Sequence, residues 1–78
     1  FFISGGHHFD DGDEVIQVPT IFDSIDDAAK TVRDIVNETI EASNSSHEKV
    51  TAEDCKDGYE LSPNGGNEKL FLKIIKAK

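Results

Sequence analysis

The stretch SIDDAAKTVRDIVNETIEAS, Ser24–Ser43, decides the fold. Its apolar residues are Ile25, Ala28, Ala29, Val32, Ile35, Val36 and Ile40. Steps of three and four put them on one face of an α-helix. Ser24 or Asp23 can cap its start, and Asp26 and Asp27 fall in the first turn, where the helix dipole favours acids. The pattern therefore predicts a helix from about Ser24 to Ser43. The small Ala28 and Ala29 predict a close approach to a sheet near its start.

Upstream, Phe1-Phe2-Ile3-Ser4 is apolar and β-prone. Gly5-Gly6 marks a bulge or a close backbone approach, and His7-His8-Phe9 resumes the strand. Asp10-Asp11-Gly12-Asp13 carries hairpin-turn chemistry, and Glu14–Val18 reads as a second strand that Pro19 ends. Downstream, Asn44-Ser45-Ser46 is a polar stop. Thr51-Ala52-Glu53-Asp54 resembles a cap and first turn, so one short helical turn is expected before Gly58. Gly58–Leu61 is a short strand, Ser62–Asn67 a loop, and Lys69–Lys76 the last strand.

In that last strand Leu70, Leu72 and Ile74 share one face, and Phe71, Lys73 and Ile75 the other. Apolar residues on both faces fit an inner strand or an interface. The expected architecture is α+β: two hairpins flanking one helix, order ββαββ, with a four-stranded antiparallel sheet and the helix across one face. A single small domain spans 1–78, divided as first hairpin 1–22, helix 23–44, connector 45–57 and second hairpin 58–78. The second sheet face would expose Phe71, Ile75 and either Val15/Gln17 or Ile16/Val18. Apolar groups clustered there point to binding or to a homodimer.

The totals narrow the function classes. Seventy-eight residues carry 16 Asp+Glu against 8 Lys+Arg, a net charge of −8. Such a chain buries only about 60% of the surface its unfolded form exposes, which leaves little room for a deep cofactor site. No cofactor is expected. The acidity argues against direct binding to nucleic acid or to anionic membranes. The single cysteine, Cys55, cannot form an internal disulfide, which favours a reducing, cytoplasmic setting. No stretch has the length of a membrane helix or the pattern of a signal peptide. The chain opens on Phe1 rather than Met, so an upstream part is expected and that last absence weighs little.

The charge is unevenly spread. Residues 1–68 hold four bases against sixteen acids, −12, whereas residues 69–78 hold Lys69, Lys73, Lys76 and Lys78 and no acid, +4. On a helical wheel Asp27, Asp34, Glu38 and Glu41 lie within about 40° of one line, opposite the apolar face. The ordinary reading of such a row is a solvated helix face. The functional reading is a carboxylate row presented to a basic groove, as phosphates would be. Asp10, Asp11 and Asp13 in the first hairpin add to the acidic surface.

Other constellations are weaker. His7, His8 and Asp10 are candidate metal ligands, with Asp11, Asp13 and Glu14 nearby. In a strand, however, His7 and His8 point to opposite faces, and the acidic run lacks a calcium-loop register. Cys55 with a histidine could make a nucleophilic pair, but Glu53, Asp54 and Asp57 would raise rather than lower the thiol pKa. Neither Gly5-Gly6 nor Gly65-Gly66 fits a phosphate-binding pattern. Asn37-Glu38-Thr39 and Asn44-Ser45-Ser46 fit the glycosylation acceptor pattern, the first inside the helix.

The sequence thus favours a non-enzymatic acidic binding module. Its expected role is an inhibitor or regulator, and its expected partner a protein with a basic, nucleic-acid-binding type of surface. Two alternatives stand beside it. One is a small metal-dependent enzyme or metal-binding domain at His7, His8 and Asp10. The other is a self-associating structural domain.

Overall fold

The computed structural model describes residues 1–9, 12–44, 47–62 and 68–76. Its strands are β1 (Phe2–Phe9), β2 (Gly12–Val18), β3 (Tyr59–Leu61) and β4 (Lys69–Ile75), and its helix is α1 (Ile25–Ala42). The chain order is ββαββ, and the sheet is antiparallel with strand order β2-β1-β4-β3. This is the α+β arrangement expected from the sequence. The terminal strands β1 and β4 form its centre, and β2 and β3 its edges.

The helix starts and stops for local reasons. Ser24 is the N-cap, and its hydroxyl accepts from the Asp27 N–H at 3.2 Å. Asn44 ends α1 in the left-handed region, φ 49°, a conformation Asn tolerates better than most residues. Ala28, Ala29, Val32, Val36 and Ile40 are buried along one side of α1. They meet Ile3 of β1, Leu61 of β3, Leu70 and Leu72 of β4, and the connector residues Val50 and Cys55 in one core. The helix packs on the turn at Glu53–Cys55 and on β4, β1 and β3. Ile16 and Val18 of β2 are consequently only half-buried.

The register sorts the side chains. Ile3 pairs with Val18 and Ile74, and Gly5 with Ile16 and Leu72, so these rows face the helix. Gly6 pairs with Val15 and Phe71, and Ser4 with Gln17 and Lys73, so those rows face away. Of the two sets left open by the sequence, Val15 and Gln17 therefore lie on the free face.

Gly5-Gly6 does not interrupt β1. A Cβ on Gly5 would stand 2.1 Å from the Phe71 carbonyl oxygen and 2.9 Å from the Leu72 Cα. The strand is continuous because glycine lets β4 approach it closely.

The connector is tied to the helix. The Asn37 side chain donates to the Val50 carbonyl at 3.1 Å and accepts from the Val50 N–H at 2.9 Å. Thr51 and Asp54 cap the expected short turn reciprocally: Thr51 N–H donates to Asp54 Oδ2 at 3.1 Å, and Asp54 N–H donates to Thr51 Oγ1 at 3.3 Å. That turn is a single 3₁₀ turn, Glu53–Cys55. No helix among the described residues is long and apolar enough to cross a membrane.

Candidate functional site

Two surfaces stand out, and they lie on opposite sides of the two-layer fold. The first is the outer face of α1. Asp27, Asp34, Glu38 and Glu41 are all exposed there, opposite the buried line of Ala28, Ala29, Val32 and Val36. The structure brings all four together on one line, because the helix runs unbroken through every one of them. Two are partly offset by exposed cations. Arg33 donates to Asp34 Oδ1 through Nη2 at 3.0 Å, and Lys49 Nζ lies 3.6 Å from Glu41. Exposed pairs of this kind contribute little and are screened by salt. Asp27 and Glu38 carry no ion pair among the described residues.

The second surface is the free sheet face. Phe71 and Ile75 are on it, 43% and 38% exposed, and Val15, on the other side of β1, is 76% exposed. Gly6 sits between Val15 and Phe71 and carries no side chain. Its absence leaves a hollow of ≈ 410 Å³ with Val15 and Phe71 as apolar walls and His8 and Asp13 on the rim. Sequence reasoning treated Gly6 only as a backbone feature. The signal for its role was the i, i+2 alternation of β4, which puts the bulky Phe71 beside it once β1 and β4 are paired. Lys69 and Lys73 also face this side, and Lys69 pairs with Glu60 at 3.0 Å.

Asp13 does not join the helix row. It is on the free face and pairs there with His8. Asp10 and Asp11 lie outside the described residues. Asp13 thus stands apart from the acidic helix row.

The histidines separate as their adjacency requires. His7 faces the helix side, where Nε2 lies 2.9 Å from Glu68 Oε1 and the ring packs 4.0 Å from Phe9. His8 faces away, against Asp13. Among the described residues no three His, Cys, Asp or Glu side chains converge as metal ligands. Asp10, the third candidate ligand, lies outside the described residues.

Cys55 is fully buried. Burial pushes its thiol pKa up, the Asp54 carboxylate pushes it further, and Arg33 partly opposes both. Burial thus outweighs the acidic neighbours that the sequence points to. A protonated, enclosed thiol is a poor nucleophile. Asn37 of the first glycosylation triplet has its amide engaged by Val50, and the second triplet runs into residues outside the described set.

The chain matches no family model, no curated protein and no solved structure.

Proposed function

We propose that this chain is a non-enzymatic binding module that docks its acidic helix face on a basic surface of a partner protein, in the manner of an inhibitor or regulator. The observation that carries the reading is the placement of Asp27, Asp34, Glu38 and Glu41. All four stand exposed on one line of an 18-residue helix, in a molecule of net charge −8. A row of carboxylates on a rigid element produces a directed negative potential, which steers a basic partner and fixes its orientation. A partner surface that itself binds phosphates would have the matching charge. Because the helix is tied down by its core residues and by the Asn37–Val50 clamp, the backbone that carries the row needs no ordering on docking.

The test compares two charge-reversed proteins of equal net charge. One carries D34K/E38K on the row. The other carries E48K/D57K, at exposed connector acids without an ion pair among the described residues. Binding to an immobilised lysine-rich peptide is measured at low and high salt. Loss with the row variant but not with the connector variant supports the reading, as does steep weakening with salt. Equal loss with both variants means that only total charge matters, and overturns it.

A further inference from the structure

We infer that the free sheet face is a self-association surface, and that its occupant is a second copy of this chain. Five large hydrophobic residues are exposed among the described residues: Phe9, Val15, Ile21, Phe71 and Ile75. Val15, Phe71 and Ile75 lie on the free face. Ile21 lies at its margin, where it shares a second hollow with Phe2, Ser4 and Gln17 of that face. Only Phe9 lies elsewhere, against His7. Exposed apolar groups gathered on one side of so small a domain mark a contact surface.

Charge selects the occupant. Among the described strand residues, the charged ones on this face are Asp13, Glu60, Lys69 and Lys73, with Asp57 at its margin beside Glu60 and Lys73. The two acids and two bases of the strands cancel, so most of the described excess of acid lies off this face. Two copies that met through their helices would oppose acid to acid. Two copies that meet through their sheets oppose a neutral, mixed-sign surface to itself, with Lys73 free among the described residues to find a carboxylate across the contact. A two-fold contact is self-complementary by construction, and a face with both signs and exposed apolar groups suits it. Stacked sheets would stand about 10 Å apart, in a four-layer assembly with helices outermost.

Size sets the strength. Three strands about 4.8 Å apart and about seven residues long cover roughly 14 by 23 Å. Side-chain relief adds to that area, but it stays under the roughly 800 Å² per partner of a standard interface. The dimer is therefore weak and forms as concentration rises. Both acidic helix rows would remain exposed on its outside, so self-association and docking on a basic partner do not compete.

Sedimentation over a wide concentration range tests this in three proteins. The parent chain is expected to shift from monomer mass toward twice that mass as concentration rises. V15K puts a charge on the most exposed apolar residue of the face, on edge strand β2, at a position already 76% exposed, so the fold is retained and the shift is lost. K73E makes the face net negative, and its association weakens, most at low salt. Circular dichroism melts confirm that both variants fold. Added salt strengthens the dimer by screening the −8 on each copy, whereas it weakens docking through the helix row. The two readings therefore fail separately. A parent chain that stays monomeric at every concentration overturns the inference. So does association that V15K leaves unchanged.

Discussion

Asn37 and Val50 pair as two peptide groups would: the carboxamide on α1 gives one hydrogen bond to the Val50 carbonyl and takes one from its N–H. Val50 is buried, so neither backbone group has ready access to water. Without Asn37 both would be left unsatisfied, which costs about 1–3 kcal/mol for each buried group. N37A is expected to lose about 2 kcal/mol or more in urea unfolding. N37D keeps the acceptor and removes the donor, so it is expected to be destabilised as well. A stability change under 0.5 kcal/mol for N37A, the range of ordinary surface substitutions, would remove the clamp from the account.

Gly5 and Gly6 make a second, sharper contrast. A Cβ at Gly5 meets backbone at 2.1 Å, which cannot move aside without separating β1 from β4. G5A is expected to cost ~3 kcal/mol or more, beyond ordinary overpacking. A Cβ at Gly6 meets the Glu14 carbonyl oxygen and the Phe71 ring tip, each at 3.1 Å; both approaches are looser than those at Gly5, and the ring borders an open hollow into which it can turn. G6A is expected to cost less than G5A. Thermal melts of the two proteins read the order directly, and the reverse order would contradict the register.

These contrasts show where the sequence was informative. The helix was legible because its apolar steps, its Ser24 cap and its acidic first turn all agree. The four strands were legible from alternation and turn residues. The order β2-β1-β4-β3 was not, because nothing local in Phe2–Phe9 or Lys69–Ile75 says that the two ends of the chain pair. That pairing decides which residues flank Gly6, so the hollow on the free face was hidden as well. The acidic row is helical geometry and could be read in advance. Its separation from Asp13 is tertiary geometry and could not. The Asn37 clamp was hidden because a polar residue at the edge of a buried helix face looks the same whether water or a connector meets it.

Alkaline pH is expected to weaken the fold. The pKa values of Cys55 and Tyr59 are both raised, in each case chiefly by burial, so the folded state favours their neutral forms. The unfolded chain ionises them first. Their contribution is complete below the ordinary thiol range near 8.5 and is lost as pH rises through and above it. Lys56 is raised by its bond to Glu53, which favours its charged form, and that support too is lost as pH climbs through the lysine range. The melting temperature should therefore fall steadily above pH ~8.5. C55A, though less stable throughout, should show a shallower fall. A melting temperature that holds or rises over that range would contradict the sign.

The burial of Cys55 makes a chemical prediction as well. The folded protein should react with a thiol-specific disulfide reagent far more slowly than the urea-unfolded chain. Equal rates would mean that the connector opens freely over Cys55, despite the Asn37–Val50 clamp.

If the acidic face of α1 does the docking, an amide-resolved NMR titration with a lysine-rich peptide at low salt will show shift changes concentrated on α1 around Asp27, Asp34, Glu38 and Glu41, with Val15, Phe71 and Lys73 unmoved. Changes centred on the sheet face would contradict it, as would changes spread over every exposed acid, Glu48 and Asp57 included.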